Sequence, residues 1–199
     1  LSYESTSDLV MNEAVSSSFV YNDVLYIKDG MNYLKYDGDI LRDVVGFIPT
    51  TTIDCNPLGG GKENQDVNML SDFRRNSFVA DGKSKDYYLD EPRVDAVTEV
   101  VVDGVIVTDW SADVTKGKVT FPIAPEAPMT DGQSNVVIKY RKAVPEYREA
   151  IMSCTLLQVF DNRVFFSGNS KMPNTVWHSS LDDPSYIADT DFYHEGLDS

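Results

Sequence analysis

Residues 18–45 set short apolar and aromatic stretches between the turn pairs Asn22-Asp23, Asp29-Gly30 and Asp37-Gly38. Asp-Gly and its relatives favour two-residue hairpin turns, because a type I′ turn needs positive φ at both central positions. The register implied at Asn22-Asp23 pairs Tyr21 with Val24, Val20 with Leu25 and Phe19 with Tyr26. At Asp29-Gly30 it sets Tyr26 opposite Tyr33 and Leu25 opposite Leu34; at Asp37-Gly38 it sets Leu34 opposite Leu41. A ladder Val20–Leu25–Leu34–Leu41 then crosses four strands with no break in parity. The pattern predicts a four-stranded antiparallel meander of propeller-blade size.

Residues 46–82 lose the alternation. Pro49, Pro57 and Gly59-Gly60-Gly61 read as a long connection. Strand signals return over 86–142. Val100-Val101-Val102, Asp103-Gly104 and Val105-Ile106-Val107 make a hairpin with valines on both faces, the pattern of two-sided burial. A turn at Lys116-Gly117 sets Val114 opposite Val119 and Ala112 opposite Phe121, with Asp113 and Thr120 facing out. Val136, Ile138 and Tyr140 share one face. With Tyr87-Tyr88-Leu89 this gives about six or seven short strands, read as a small β-sandwich module. Pro145 to Ser153 is the one helix, with Pro145 at its first position and Glu146 and Glu149 in its N-terminal half. Strands resume at Thr155–Phe160, Val164–Gly168 and Thr175–Ser179.

The expected fold is therefore all-β: blade-like antiparallel meanders with an inserted β-sandwich module and one short helix. The expected divisions are 1–82 (meander and connector), 83–143 (inserted module) and 144–199 (helix and a second, incomplete blade-like sheet).

Composition adds limits. The 199 residues are 42% hydrophobic and 11% aromatic, which excludes a disordered chain. No apolar run approaches the roughly 18 residues of a membrane-spanning helix. A formal net charge of -15 opposes a general nucleic-acid-binding surface. The chain opens Leu1-Ser2-Tyr3 without an initiator Met or a signal-peptide pattern, and reads as a piece of a longer polypeptide. Asn76-Ser77-Phe78 and Asn174-Thr175-Val176 carry the hydroxyl one place too early for an Asn-linked glycan acceptor. Cys55 and Cys154 make no disulfide framework and are expected as reduced, buried residues.

Gly59-Gly60-Gly61-Lys62 lacks the spacing and the hydroxyl of a phosphate loop, since Glu63 follows the lysine. Asp189-Thr190-Asp191 with Glu195 begins like a calcium loop, but His194 stands where the sixth-place glycine belongs. His178 and His194 are the two histidines. His178 neighbours Ser179 and Ser180, yet adjacent strand residues point to opposite faces and no nucleophile elbow is present. The aromatic ladder and Trp110 and Trp177 suit a core better than a sugar groove. Arg74-Arg75, Lys83–Lys85 and Lys139–Lys142 are basic clusters set among acidic residues. The expectation is no catalytic residue, no cofactor and no metal, with the binding residues left open.

Three runs carry a resemblance. Asp161-Asn162-Arg163-Val164-Phe165-Phe166-Ser167-Gly168-Asn169, then Pro173-Asn174, then Ser180-Leu181-Asp182-Asp183-Pro184-Ser185-Tyr186 resembles a phrase of tailed-phage and prophage structural proteins. The relatives are packaged-DNA stabilisation, head–tail connector and tail proteins. Leu25–Gly30 and Tyr33–Gly38 look like an earlier blade of the same proteins. Val102-Asp103-Gly104 through Val119-Thr120-Phe121 and Ala124-Pro125 is similar to small β modules inserted into phage tail proteins.

The resemblance implies a non-enzymatic virion component built around a propeller-like body and assembled in the bacterial cytoplasm; the net charge of -15 suits a neck, connector plug or tail part better than a grip on DNA. Its partners would be other virion proteins in an oligomeric particle, with no sequence-specific nucleic acid and no membrane. It brings no catalytic residues with it. A closed propeller needs four or more blades, and this chain holds fewer. Two other classes stay open: a tail receptor- or carbohydrate-binding module with an aromatic groove, and a propeller-type glycosidase with two carboxylates about 5–10 Å apart.

Overall fold

The computed structural model describes residues 9, 11–12, 16–144 and 147–196. They form an all-β protein of four open sheets with one short helix. The chain divides into two compact units. The first takes in the described residues up to Phe47, then Met69–Ser71, then those from Val144 onward; the second holds Ile48–Asn68 and Asp72–Ala143.

The first unit opens with a four-stranded antiparallel meander, β1 (Ser17–Tyr21), β2 (Val24–Lys28), β3 (Tyr33–Tyr36) and β4 (Leu41–Asp43). Asn22 and Asp23 both have positive φ, 48° and 62°, and close the expected Tyr21–Val24 hairpin. The next two registers are each displaced by two residues: Leu25 opposes Tyr36, and Tyr36 opposes Leu41. A shift of two keeps every side chain on its face, so the ladder runs Val20–Leu25–Tyr36–Leu41 with Leu34 across from Ile27. The core takes the other face, through Phe19, Tyr26 and Tyr33. Their rings form a run, with Phe19 stacked on Tyr26 at 4.9 Å and Tyr26 5.9 Å from Tyr33. Val20, on the opposite face, is 63% exposed.

The second unit begins inside the stretch that reads as a connector. β5 (Thr50–Cys55), β6 (Lys62–Glu63) and β7 (Phe73–Phe78) join β9 (Ala96–Val102), β10 (Val105–Val107) and β13 (Val136–Arg141) in one six-stranded sheet, ordered β10-β9-β13-β7-β5-β6. A three-stranded sheet, β11-β12-β8, is made by β8 (Asp86–Tyr88), β11 (Ser111–Asp113) and β12 (Lys118–Thr120). The expected boundary at residue 83 is therefore corrected: residues 48–68 and 72–82 belong to the same unit as the module. β7 escapes a hydrophobicity reading because its buried positions are Arg74, Asn76 and Phe78, two of them polar.

The two sheets share one core of Phe78, Tyr87, Val100, Val119, Phe121, Val136, Ile138 and Tyr140. Tyr87 is central, edge-on to Phe78 at 5.4 Å and to Phe121 at 5.2 Å. The Val100–Val107 hairpin forms at Asp103-Gly104 with both φ positive. Its valines are not buried on both faces, however: Val105 and Ile106 are 64% and 63% exposed, because β10 is an edge strand. The Lys116-Gly117 turn is longer than expected, and Ala112 opposes Val119 rather than Phe121.

The chain re-enters the first unit with α1 (Tyr147–Met152); the expected helical Pro145 and Glu146 lie outside the described residues. A second meander follows, β14 (Leu156–Phe160), β15 (Arg163–Ser167), β16 (Thr175–His178) and β17 (Phe192–His194). It has four strands, so the expected incomplete sheet is corrected. β17 was hidden by its acidic flanks. Val164, Phe166 and Trp177 from this meander meet Tyr33 and Val44 from the first, with Met69, Leu70, Ile151, Met152 and Ile187 between. Tyr33 stands edge-on to Phe166 at 6.3 Å, and β1 runs beside β14.

Candidate functional site

A cleft of about 740 Å³ lies at the end of α1 in the first unit, lined by Met31, Met152 and Met172, by Arg148, Glu149 and Lys171, and by small polar residues. Two side chains that belong to no sequence motif tie down its lining residues Met152 and Met31. Lys28 is the last residue of β2, and strand alternation turns it inward beside Tyr26. It is 2% exposed, and its ammonium donates to the carbonyls of Met152, at 2.8 Å, and of Cys154. A helix leaves its last carbonyls without partners, and a lysine there both bonds them and matches the helix dipole. Burial lowers the Lys28 pKa, against the raising effect of Cys154 and Asp29.

Asp29 is wholly buried. It accepts hydrogen bonds from the amides of Asn12, Met31 and Asn32 and from the Asn32 side chain, at 2.7–3.1 Å. Burial raises its pKa, but those four donors outweigh burial and hold it at about 2. Asn169 fixes the other wall, with its amide donating to Ala150 O and Ser153 Oγ and its oxygen accepting from the Lys171 and Met172 amides. Arg148 donates to Leu70 O at 3.0 Å. The lining holds one carboxylate, Glu149, and no aromatic ring. Such a cleft can receive a small apolar or anionic group; it does not assemble an acid–base pair.

Each motif singled out in the sequence has a structural occupation. Ser179 Oγ is buried, accepts from Val164 N and donates to Ser180 O, so it is not a nucleophile. His178 Nδ1 lies 3.8 Å from Asp191 Oδ1 and 3.4 Å from Arg163 Nη1, while Ser180 Oγ donates to the other Asp191 oxygen at 3.2 Å. The carboxylate sits between serine and histidine, whereas nucleophilic activation needs the histidine in the middle. His194 is hydrogen-bonded to Thr175 Oγ1 at 3.0 Å. Residues 192–194 form a strand, so the chain does not wrap a cation there, and no metal-holding cluster occurs among the described residues.

Gly59, Gly60 and Gly61 all have positive φ, and a Cβ on Gly61 would lie 2.7 Å from both Cys55 Sγ and Ile53 O. Lys62 starts an edge strand and pairs with Asp54 at 3.2 Å. This is a tight turn against β5, not a phosphate cradle.

The basic clusters of the second unit are largely neutralised. Arg74 faces Glu91 at 3.7 Å, Lys139 pairs with Glu99 at 3.1 Å, Arg141 with Asp72 at 2.5 Å and Lys142 with Glu91 at 2.5 Å. Arg75 donates to Ile48 O, and Lys85 to Pro122 O. Few cations remain to meet phosphate. Asp90 looks like a buried acid, but it accepts from Thr51, Thr52 and Tyr140 hydroxyls; burial raises its pKa and these bonds lower it further than that. It ties β5 to β13. Cys55 and Cys154 are free and buried, and burial pushes both thiols up to about 11, away from thiolate reactivity. Trp177 packs in the first core and Trp110 against the second, as expected of core residues.

The run Ser180–Tyr186 has a different role. Asp182 accepts from Tyr21 OH at 3.0 Å, Pro184 O accepts from Tyr33 OH at 3.1 Å, and Tyr186 lies against Phe47 at 4.8 Å. Phe47 N donates to Ser185 O. The loop between β16 and β17 thus fastens the second meander to the first. Comparison of the chain with known protein families, curated proteins and solved structures finds no match in any of the three.

Proposed function

We propose that the chain is a non-enzymatic structural component of a tailed-phage or prophage virion, a neck, connector plug or tail part working through protein–protein contacts. The two meanders are then successive propeller-like blades, and the second unit a β-sandwich module inserted between them. The observation that carries this reading is the joint between the meanders. First strands β1 and β14 lie side by side, as the inner strands of adjacent blades do, and the Ser180–Tyr186 run that bears the resemblance builds the fastening.

Charge selects the mode of action. Each phosphate gripped needs a Lys or Arg, and the clusters at Arg74-Arg75 and Lys139–Lys142 are engaged with acids and carbonyls. A plug held by its neighbours fits a net charge of -15 better than a DNA clamp does. The carbohydrate-binding reading has less support, since the cleft lacks aromatic rings; the glycosidase reading lacks a second carboxylate there. Particles purified from cells that encode the chain should contain it at fixed stoichiometry by quantitative mass spectrometry. A chain recovered wholly in the particle-free fraction overturns the virion assignment. Tight, salt-sensitive binding to duplex DNA would overturn the plug in favour of a clamp.

A further inference from the structure

The two meanders repeat one another in a way that shows what their free faces are for. Both first hairpins turn on two residues of positive φ, Asn22-Asp23 and Asp161-Asn162, closed by Tyr21–Val24 and Phe160–Arg163. Aligned on these turns, Val20 corresponds to Val159, Leu25 to Val164 and Ile27 to Phe166. The cross-strand pairs Ile27–Leu34 and Phe166–Trp177 then match Leu34 to Trp177. On the opposite face, Tyr21 corresponds to Phe160, Tyr26 to Phe165 and Tyr33 to Val176.

The core between the meanders uses opposite faces of the repeat. The first meander gives Phe19, Tyr26 and Tyr33; the second gives Val159, Val164, Phe166 and Trp177. On the sides turned away from that core the sheets carry one further copy of each half, partly covered on the first meander. The second meander's outer face carries Phe160, Phe165 and Val176, counterparts of the first meander's contribution. The first meander's outer face carries Val20, Leu25 and Ile27, counterparts of the second's. Leu34 on that face is already covered within the chain, while Val20 is 63% exposed. Opposite, Leu156 and Phe160 are 63% and 68% exposed. Exposed apolar side chains at Val20 on one face and at Leu156 and Phe160 on the other mark an interaction surface. The faces are otherwise poor in charge and opposite in sign: Asp43 is the one charged residue among the strand positions of the first outer face, and Arg163, which also donates to Ser179 O at 2.8 Å, the one among those of the second, His178 aside.

We infer that the outer face of the second meander docks on the outer face of the first meander in a second copy of this chain, repeating the packing already built within one copy. The inference rests on the blade-like reading of the two sheets. The contact is heterologous, one face meeting a different one, and a blade-to-blade rotation repeated between copies closes a ring, whereas growth without a limit would overturn that closure. With two sheets per copy and typically four to eight blades in a closed propeller, the ring holds about two to four copies.

Light scattering behind a sizing column, over a concentration series of the full chain, tests this. The wild type should rise from one copy to a fixed limit of about two to four. Val20→Asp, on the first face, and Phe160→Asp, on the second, should each be monomeric. Both positions are exposed, so far-UV circular dichroism should be unchanged; Val20→Ser and Phe160→Ser serve as milder replacements should either fold poorly. An equimolar mixture of the two variants retains one good pair of faces and should form two-chain complexes and nothing larger. A wild type monomeric throughout overturns the inference. So does association that survives one substitution and not the other, which would mean a face meeting itself. Either result leaves the virion assignment to the particle-composition measurement.

Discussion

Asp29 closes the turn between β2 and β3 with three hydrogen bonds accepted from Met31 and Asn32, and takes a fourth from the Asn12 amide, while remaining out of contact with solvent. A buried carboxylate without those donors would be costly, and the donors without the carboxylate would be orphaned in turn. Asp29→Ala should therefore destabilise the first unit by about 1–3 kcal/mol, read from denaturant unfolding. The pH dependence has a definite sign. The folded pKa is depressed to about 2 from the ordinary 3.8, so the unfolded chain binds the proton more readily. The stabilisation is complete above the ordinary carboxylate range and lost as pH falls from about 4 through about 2. Melting curves over that window should fall steeply for the wild type and less steeply for Asp29→Ala. Equal slopes would mean that the carboxylate is not held as the geometry requires. Lys28 beside it acts in the opposite sense from most surface lysines: its lowered pKa makes its contribution grow as pH rises toward its ordinary 10.5.

At the level of elements, side-chain parity was legible and register only in part, failing for one reason seen three times. Asp29, Asp37 and Asp113 each use a carboxylate oxygen to collect amides two or three residues ahead: Met31 and Asn32, Asp39 and Ile40, and Lys116. That local bonding opens a four-residue turn where two-residue turns were expected, displacing the register by two and leaving the faces unchanged. Asn22-Asp23 and Asp103-Gly104 adopt positive φ at both positions and give the expected registers. β7 was not legible at all, because Asp90, Asn76, Thr51 and Tyr140 supply a polar network where alternation looks for apolar residues. The cleft was equally hidden, being assembled from a turn, a helix end and a loop far apart in sequence. The fastening loop makes the element-scale prediction. Tyr186→Ala removes the ring packed 4.8 Å from Phe47 and should lower the stability of the first unit by about 1–3 kcal/mol. Circular dichroism of the folded state should be preserved. An unchanged unfolding midpoint would show that the loop does not hold the meanders together.

At the scale of the whole molecule, two separate cores are threaded by one chain that enters the second unit after Phe47, returns for Met69–Ser71 and leaves again after Ala143. Each core has its own buried aromatics, and each holds one of the two tryptophans: Trp110 donates to Val107 O and packs on the second core, while Trp177 is 3% exposed in the first. Multi-unit chains need not unfold in one step. Trp110→Phe leaves a fluorescence signal from the first unit, and Trp177→Phe leaves one from the second. Ile138 is fully buried at the centre of the second core, and truncating such a residue to alanine costs about 2–5 kcal/mol. In the Trp177→Phe background, Ile138→Ala should move the unfolding midpoint to markedly lower denaturant. In the Trp110→Phe background the same substitution should leave the midpoint almost where it was. Equal shifts in both backgrounds would mean that the two cores unfold as one cooperative body, and that the inserted unit is part of the structure that keeps the meanders folded. Unequal shifts would mean that the second unit can vary without disturbing the sheets proposed to stack.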